Sequence, residues 1–577
     1  MIKIQNAVLS KKEQSQKDQL KKSLPYPEVF IDILFHRGYR TEEESDQFFH
    51  ANLNQLNDTS LLKDADRFVD LLHTAIQENW LIVNYSDYDC DGATSAATTL
   101  LAIQNLGGTV VSYINNRFTG GYGINRNGID EILEKYPECK LILTTDNGIS
   151  AIDAVAYAKS KGLSVIVTDH HEPKLDEHGK QILPPADAVI DPKRQDDSYP
   201  FSGLCGCGLI WKLLLYYYWQ TGQDVSYMYS LLDIVALGTQ CDVVPLRDEN
   251  RIIVREGLKL MRNGSRECFE KLRIAMDVTK IDDGTLGFKF GPAINALGRV
   301  TGSADLAVKF LTSTDDVSSE TLSHILVEEN TERKKLTEEQ TELAINELEG
   351  KPLPNIIISY HEDYHEGIAG IIAGRLKERY HRPAIVISRT GYEDPEYGYL
   401  CKASARSISS IHMFECLCKL KDYLIEFGGH AMAAGFSLYE NQIESFTKAF
   451  NELLDGSDFD TVITIDSVLD AKSLDVEQIE SLEMLQPFGA EFPSPVFGLQ
   501  NFEVDLKETR NKYIKNDGVR LKNKEGLTVL MFQEGAHYRK LGEPTHVKAI
   551  GTPSVNLWQG KAYPQFLVMN NYLSEDK

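Results

Sequence analysis

The chain has 577 residues, of which 42% are hydrophobic and 25% are charged, and its formal net charge is −25. The length exceeds what one hydrophobic core supports and predicts three or four domains, while the composition excludes a disordered or membrane-embedded chain. The negative charge argues against a protein that coats nucleic acid through a uniformly basic surface, although a local basic cleft would still bind phosphates.

The cysteines and the N-terminal region bear on where the protein works. Nine cysteines are scattered along the chain, an odd number that argues against a disulfide framework. The N-terminal region is polar and charged, and the longest apolar run, LIWKLLLYYYW, contains a lysine and is too short to span a bilayer. We therefore expect a cytoplasmic protein.

In chain order, residues 1–75 predict a helical region, because VFIDILFHRGY and DADRFVDLLHTAI place apolar residues at helical spacing. Residues 76–315 begin with short β-rich runs separated by alanine-rich helical stretches. These runs are WLIVNYSD, TVVSYINN, LILTTDNG, SVIVTDHH and DAVIDPK. Unalternated apolar strands between helices are typical of a parallel sheet covered on both faces.

The rest of the chain predicts a connecting helix over 316–350, a smaller α/β domain over 351–455 and a small OB-like β-barrel over 456–577. Gly350 is expected to end the helix. The expected buried face of that helix is Leu322, Ile325, Leu336 and Leu343. The predicted fold class is therefore α/β, with a parallel-sheet domain, a long helix, a smaller α/β domain and a C-terminal barrel.

Three aspartates at alternate positions, Asp87, Asp89 and Asp91, directly follow the first predicted strand. Like charges at this spacing repel one another, and close packing raises the pKa of at least one carboxyl group unless a cation neutralises them. A solvated acidic loop is one interpretation of this motif. A site for a hard divalent cation such as Mg²⁺ or Mn²⁺ is the other.

Other polar side chains stand at equivalent strand ends: Asp146 after the third run, and Asp169, His170 and His171 after the fourth, while Asp242 follows an apolar helix. Ligands of parallel sheets bind beyond the carboxyl ends of the strands, so these side chains are expected to converge. Five or six oxygen and nitrogen ligands suit two cations that act in phosphoryl transfer. The combined pattern favours the metal interpretation.

The order of these motifs resembles the DHH phosphoesterase superfamily and, within it, the RecJ family of exonucleases specific for single-stranded DNA. The resemblance covers residues 25–570. Further motifs that carry it are NRFTGGYG, VIDPK, GPAINALGR, YHEGIAGIIAGRL, SARS, FGGH and LQPFGAEFPSPVF. It implies that residues 76–315 are the DHH catalytic domain and that residues 351–455 are a DHHA1-type substrate-binding domain.

The resemblance also implies roles for single residues. The implied metal ligands are Asp89, Asp91, Asp146, His170 and Asp242. Asp146 is the candidate to bridge both cations. His171 completes the catalytic set and would lie beside the scissile phosphate, either as a metal ligand or as the group that handles the leaving oxygen. Asp169 would orient a neighbouring histidine, and Asp87 would support the centre.

Arg117 and Arg299 are the candidates for phosphate contacts, with structural salt bridges at a domain junction as the alternative. The motif HEGIAG starts a helix, and a helix N-terminus attracts anions. The residues expected to hold the DNA backbone there are Gly367, Gly370, Ser404, Arg406 and His430. Tight helix packing is the alternative for the glycines, and in the barrel Trp558 and Tyr513 are either base-stacking or core residues.

The implied function is 5′-to-3′ degradation of single-stranded DNA to mononucleotides in DNA recombination and repair, with two Mn²⁺ or Mg²⁺ ions as cofactors. A helicase and a single-strand-binding protein are the implied partners, and a monomer is expected. One alternative is a DHH phosphodiesterase of short oligonucleotides or cyclic dinucleotides, whose members generally lack the OB-like region. The other is a non-catalytic DNA-binding scaffold, which retention of the core carboxylates disfavours.

Four positions depart from the family's pattern. Tyr85 stands where many superfamily members have a histidine, and Ala293 stands where arginine is usual. Tyr364 replaces a customary tryptophan, and Glu366 replaces a proline. The first two remove a metal ligand and a phosphate contact, so altered affinity or processivity is expected.

Overall fold

The computed structural model describes residues 2–6, 9–264, 266–509 and 512–575. The chain divides into two units, Leu53–Asp460 and Ile2–Asn52 together with Thr461–Lys577. Among the described residues, none of the helices combines the length and the apolar character that crossing a membrane requires.

The N-terminal residues of the second unit are mainly helical, and they begin with a strand that the sequence pattern did not predict. The elements are β1 (Ile2–Asn6), α1 (Lys11–Ser23), α2 (Glu28–His36) and α3 (Glu42–His50). Ser10 and Thr41 form capping boxes that fix the starts of α1 and α3. β1 pairs in parallel with residues 461–465, and local periodicity carries no information about so distant a partner.

The first unit opens with the predicted parallel sheet. Its elements are α4 (Ala65–Gln77), β2 (Leu81–Ser86), α5 (Cys90–Asn105), β3 (Thr109–Ile114), α6 (Arg126–Lys135), β4 (Cys139–Thr145), α7 (Ile152–Ser160), β5 (Ser164–Thr168), β6 (Lys174–Leu175), β7 (Gln181–Ile182) and β8 (Ala188–Ile190). The five-stranded sheet has the order β3-β2-β4-β5-β8, and every pairing in it is parallel. All five predicted strands are confirmed, and β2 is buried along its whole length.

Helices complete this half of the unit. They are α8 (Gly206–Gln220), α9 (Ser226–Tyr229), α10 (Leu232–Cys241), α11 (Asp248–Arg262), α12 (Glu267–Ala275), α13 (Asp283–Thr285), α14 (Gly291–Val300) and α15 (Asp305–Thr312). α5, α8 and α10 pack on one another, which brings the end of α10 close to the end of β2. A buried ion pair, Lys212 to Glu249 at 2.7 Å, links α8 to α11.

The predicted connecting helix is confirmed as α16 (Asp316–Leu348), 33 residues long, and Gly350 follows it with φ 73°. The predicted buried face is wrong at Leu343, whose side chain is 41% exposed. The buried positions are mostly small or polar, among them Ser323, Thr337 and Ala344. Small side chains allow neighbouring helices to approach closely, and the Ser and Thr hydroxyls donate to carbonyls one turn earlier.

The smaller α/β domain is also confirmed. Its elements are β9 (Ile357–His361), α17 (Ala369–Tyr380), β10 (Ala384–Asp394), β11 (Gly398–Arg406), α18 (Met413–Lys419), β12 (Glu426–Gly429), β13 (Ala433–Tyr439) and α19 (Ile443–Leu453). The sheet order is β12-β13-β11-β10-β9, with one parallel pairing, β9 with β10. α17 packs on β10 and β11, so its first turn lies against this sheet.

The C-terminal part of the second unit is β-rich, as predicted. Its elements are β14 (Thr461–Ile465), β15 (Ser467–Asp470), α20 (Val476–Ser481), β16 (Phe497–Glu503), β17 (Tyr513–Ile514), β18 (Gly518–Lys522), β19 (Thr528–Met531), α21 (Gly535–Lys540), β20 (His546–Trp558) and β21 (Lys561–Glu575). Seven strands form one sheet in the order β15-β16-β20-β21-β19-β18-β17. Its core also takes in Phe30, Leu34 and Phe48 of the N-terminal helices.

Candidate metal centre and nucleic-acid site

The three aspartates after β2 lie where the chain turns from the strand into α5. Asp89 is the N-cap of this helix, and its Oδ1 accepts a hydrogen bond from the amide of Gly92 at 3.0 Å. A Cβ at Gly92 would lie 2.3 Å from the carbonyl oxygen of Asp87, so only glycine permits so tight a turn. The turn therefore holds Asp87, Asp89 and Asp91 at one rim of the sheet.

Asp91 is fixed by the N-terminus of α8. Its carboxylate accepts hydrogen bonds from the amides of Gly206 at 2.6 Å and Cys207 at 2.9 Å. Burial and the nearby charge of Asp89 raise the pKa of Asp91 to about 7, although these two hydrogen bonds favour the ionised form. The CGCG stretch does not reveal this contribution in the sequence, since backbone donors leave little signal in residue type.

Asp146 follows β4 and occupies the centre of the site. Its backbone has φ 63°, a left-handed conformation that is uncommon for non-glycine residues and that aspartate adopts more readily than most. The side chain is buried, and a Cβ at Gly206 would approach its Cβ to 2.6 Å. Asn147 stabilises the turn by donating to the carbonyl oxygens of Tyr85 and Thr145.

His170 faces three carboxylates. Its Nε2 lies 3.2 Å from Asp146 Oδ1, 3.6 Å from Asp242 Oδ2 and 3.9 Å from Asp91 Oδ2. Burial, followed by the charge of His171, lowers the pKa of His170 to about 3, so the ring is neutral at physiological pH. A neutral imidazole nitrogen is the form that binds metal ions.

Three sets of ligand atoms each lie within 4.8 Å of one another. They are Asp87, Asp89 and Asp146; Asp91, His170 and Asp242; and Asp146, His170 and His171. Asp146 and His170 each belong to two sets, so the sets describe adjoining positions. The structure thus brings all five predicted ligands together with Asp87 and His171.

These residues fit a divalent metal centre. Within the described part of the chain, Asp87 Oδ1, His170 Nε2 and Asp242 Oδ2 are buried without a hydrogen-bond partner, and such atoms are rare in folded proteins. Burial first, and then the neighbouring carboxylates, raise the pKa values of Asp87, Asp146 and Asp242 well above the usual range. Cations would satisfy these atoms and allow the carboxyl groups to ionise.

His171 is held by a different contact. Its Nδ1 lies 2.7 Å from Asp169 Oδ1, and Asp169 also accepts a hydrogen bond from the amide of Ile149. Burial lowers the pKa of His171, but the hydrogen bond and charge of Asp169 outweigh it and raise the pKa to about 9. The side chain of His171 is 43% exposed, so its ring reaches the open side of the centre.

Arginines gather beside the centre. The Arg117 guanidinium lies 5.0 Å from the ring centroid of Tyr88, and Arg299 donates to the carbonyl oxygen of Gly367 at 3.2 Å. Burial and the charge of Arg117 lower the pKa of Arg299 to about 10. Among the described residues, Arg117, Arg299 and Arg406 form no ion pair with a carboxylate. The salt-bridge alternative therefore has no partner in the described chain.

A cavity of ≈ 370 Å³, here called the first cavity, lies on the sheet of the smaller domain and reaches Arg117. Ser404 lines it, and Gly370 leaves space beside Arg406, since a Cβ there would lie 2.8 Å from that guanidinium. Gly367 serves tight packing instead, because its Cβ would lie 2.0 Å from the carbonyl oxygen of Arg299.

His430 is exposed in the turn after β12 and is not among the described residues that line the first cavity. The residues that do line it include three that the sequence pattern did not indicate: Lys402, Glu426 and Ser437. They come from three strands that antiparallel pairing brings side by side. No local pattern in the sequence indicates that pairing.

The departures from the family's pattern have structural explanations in part. The hydroxyl of Tyr85 donates to Asn115 Oδ1 at 2.7 Å, and the side chain is fully buried, so it belongs to the core beneath the centre. Tyr364 is also buried, with its hydroxyl 2.8 Å from that of Ser359. Glu366 forms an ion pair with Lys402 at 2.7 Å. Ala293 is fully buried in α14, and nothing in the structure explains the loss of arginine there.

In the second unit, a cavity of ≈ 710 Å³ lies on the C-terminal sheet and includes Arg520, Lys522, Trp558 and Tyr563 in its lining. Trp558 is 64% exposed, which favours the stacking interpretation for this residue. The hydroxyl of Tyr513 donates to Glu543 at 2.6 Å, so this ring belongs to a structural network.

Comparisons with known proteins agree with this architecture. Residues 81–239 match the DHH family N-terminal domain, residues 353–456 the DHHA1 domain, and residues 465–570 the RecJ OB domain. The single-stranded-DNA-specific exonuclease RecJ of Bacillus subtilis is 32% identical over 98% of this chain and 71% of its own length. These matches confirm the predicted DHH, DHHA1 and OB-like parts.

Solved structures give the same result. The fold is similar to that of RecJ from Thermus thermophilus in complex with Mn²⁺, with a TM-score of 0.82 over 100% of this chain and 80% of that one, at 24% identity. A crystal structure of exonuclease RecJ bound to manganese is 28% identical and matches 69% of this chain and 96% of that one, with a TM-score of 0.58. The chain therefore belongs to the RecJ family within the DHH superfamily.

Proposed function

We propose that the protein is a metal-dependent exonuclease that degrades single-stranded DNA from the 5′ end to mononucleotides, in DNA recombination and repair. The observation that carries this proposal is the overlap of three ligand sets at Asp146 and His170, next to arginines that form no ion pair with any carboxylate the structure describes. The names of the RecJ relatives support the substrate, and the C-terminal OB domain supports a strand longer than a dinucleotide.

The cofactors in this proposal are two divalent cations, Mn²⁺ or Mg²⁺. The residues that would hold them are Asp89, Asp91, Asp146, His170 and Asp242, with Asp87 beside them. Bound cations would supply Lewis-acid stabilisation of the transferring phosphoryl group and would activate water near neutral pH. The manganese bound to a RecJ relative supports this choice of metal.

The chain's own groups have separable tasks in the reaction. Arg117 and Arg299 would bind phosphate oxygens and stabilise the negative charge that develops on them. Asp169 holds Nδ1 of His171, which leaves Nε2–H of the protonated ring to donate toward the leaving oxygen. Ser404 would hold the strand in the first cavity, and Arg406 would do so beside Gly370, next to Ser404. Gly367 acts by packing against Arg299.

We also propose a domain division, partners and a cellular location for the protein. We divide the chain into residues 1–75, 76–315, 316–350, 351–455 and 456–577, following the sequence pattern, although Ile2–Asn52 belong to the second unit. Family membership supports a helicase and a single-strand-binding protein as partners of a monomer. A chromosomal DNA substrate would place the activity in the cytoplasm.

End-labelled single strands, duplexes and oligonucleotides of graded length test this function with Mn²⁺ or Mg²⁺. We expect rapid loss of long single strands from the 5′ end, intact duplexes, and at least a roughly thousandfold slower reaction for Asp146→Asn, an estimate based on the loss of a metal-bridging charge. Cleavage of only the shortest oligomers would support the small-substrate phosphodiesterase instead. Strands bound but uncut by both proteins would indicate the non-catalytic scaffold.

A further inference from the structure

A second cavity, of ≈ 450 Å³, adjoins the first in the same unit. The aromatic and apolar side chains that line it are Phe118, His365, Tyr392 and Leu400. Glu366 and Lys402 line both cavities, and their 2.7 Å ion pair marks the boundary between them. The volume is that of a small-molecule pocket, about 300–1,000 Å³, and neither the family match nor the sequence motifs assign it an occupant.

The hairpin of β10 and β11 forms the outer wall of this second cavity. The pairing register shifts between Arg389 and Glu393, so the regular pairing of the two strands is interrupted beside the cavity. Thr390 fixes the irregular segment, because its hydroxyl donates to the carbonyl of Leu400 and accepts from the amide of Tyr392. The result is a tyrosine ring at the cavity that stays 56% exposed.

The charged side chains that line the second cavity are neutralised by ion pairs, whereas Arg117, Arg299 and Arg406 form no ion pair among the described residues. Arg389 pairs with Glu362 at 2.7 Å and stacks on the ring of Tyr399 at 3.3 Å, and Lys402 is engaged by Glu366. His365 accepts a hydrogen bond at Nδ1 from the amide of Gly367, and burial lowers its pKa, so its ring is neutral. Aromatic faces without net positive charge suit an uncharged planar ring better than a phosphate.

The backbone connects the phosphate-binding arginines to the second cavity. Arg117 and Phe118 are consecutive residues, so the loop that supplies a phosphate contact also supplies a wall of the second cavity. On the opposite side, His365 precedes Gly367, which packs directly against Arg299. The Phe118 and His365 rings approach to 5.5 Å and close that end of the cavity.

We propose that the second cavity is a nucleobase subsite, in which Tyr392 and Phe118 stack on one base of the strand whose phosphates Arg117, Arg299 and Arg406 hold. This inference rests on the proposed function. It adds a residue, Tyr392, whose task is to position the strand through a base and not through its backbone.

Binding of a 3′-labelled single strand tests the subsite by fluorescence anisotropy. The full chain carrying Asp146→Asn serves as the parent with Mg²⁺, so that the strand stays intact. Tyr392→Ala is expected to raise Kd about fivefold or more, the size of one lost base–aromatic stack, and Tyr392→Phe to restore binding. The matched control is Tyr397→Ala, since Tyr397 lies on the same hairpin but stacks on Tyr439 at 5.1 Å.

Abasic nucleotides at each of the first 5′ positions then identify the base. At one position the abasic strand should bind the parent more weakly, and that penalty should vanish in Tyr392→Ala. Equal abasic penalties in both proteins at every position, or an unchanged Kd for Tyr392→Ala, would overturn the subsite. Failure of the proposed function would look different, because the wild-type protein would then leave single strands uncut. The comparison of Kd values would still decide whether the subsite exists. A parent that binds no strand would overturn both the subsite and the proposed function.

Discussion

At the scale of single residues, the fold holds several carboxyl groups of the metal centre close together although their negative charges repel one another. The carboxylate of Asp91 accepts hydrogen bonds from two amides of α8, which favour its ionised form. Burial and the charge of Asp89 nevertheless raise the pKa of Asp91 to about 7. The carboxyl groups of Asp146 and Asp242 also have raised pKa values. Protons therefore compete with cations for this centre.

A dependence of metal affinity on pH follows from those shifts. At pH 6 the Asp91 carboxyl is mainly protonated, so binding Mn²⁺ must release a proton, whereas at pH 8.5 it is mainly ionised. We expect Mn²⁺ affinity to increase from pH 6 to pH 8.5, with proton release largest at the acidic end. Isothermal titration calorimetry in buffers of different ionisation enthalpy measures this release, and a pH-independent affinity would contradict the assignment.

A second prediction at this scale concerns the buried pair of Lys212 and Glu249, at 2.7 Å. Lys212→Met would leave the Glu249 charge without its cation, which costs about 3–5 kcal/mol of unfolding free energy. Urea unfolding measures the change. Lys448→Met is the control, since Lys448 is 80% exposed and its pairing with Glu452 contributes less than about 1 kcal/mol. Equal effects of the two substitutions would show that the buried charge is compensated elsewhere.

At the scale of secondary-structure elements, the catalytic rim could be predicted from sequence because one rule connects strand ends to ligand positions in parallel sheets. Asp146 and His170 were located in this way. The lining of the first cavity cannot be found in this way, because Lys402 and Ser437 meet only through the pairing of β11 with β13. The expected buried position of Leu343 is wrong because close helix packing favours small side chains. Long-range pairing is absent from local periodicity.

Helix α17 offers a matched pair of glycines one turn apart. Gly370→Ala would press a methyl group against the Arg406 guanidinium at 2.8 Å. At Gly374 an added Cβ would have no described atom within 4 Å apart from its chain neighbours and the backbone of its own helix. We expect Gly370→Ala to raise KM for single-stranded DNA about tenfold, the effect of a phosphate contact worth about 1.4 kcal/mol. Gly374→Ala should leave KM unchanged, and a similar KM for both variants would remove Arg406 from the substrate site.

At the scale of the whole molecule, a chain of net charge −25 must bind a polyanion. It does so, in our proposal, through few concentrated contacts: the arginines of the first unit, and the cavity around Trp558 and Lys522 in the second. Stacking compensates for sparse charge, since base–aromatic contacts contribute about 1–3 kcal/mol each and do not depend on salt as phosphate contacts do.

Trp558→Ala tests this division of labour between the units. A long single strand should bind the variant at least about fivefold more weakly, the loss of one stacking contact. In contrast, kcat/KM for a dinucleotide should match wild type, because the metal centre and the arginines that would bind it lie in the first unit. Leu557→Ala is the control, as Leu557 is 74% exposed on the same strand but carries no aromatic ring. Steady-state kinetics over a series of strand lengths makes the comparison. If the variant lost activity equally at every length, Trp558 would be acting on the stability of the chain, and the OB-like part would have no separate task in holding the strand.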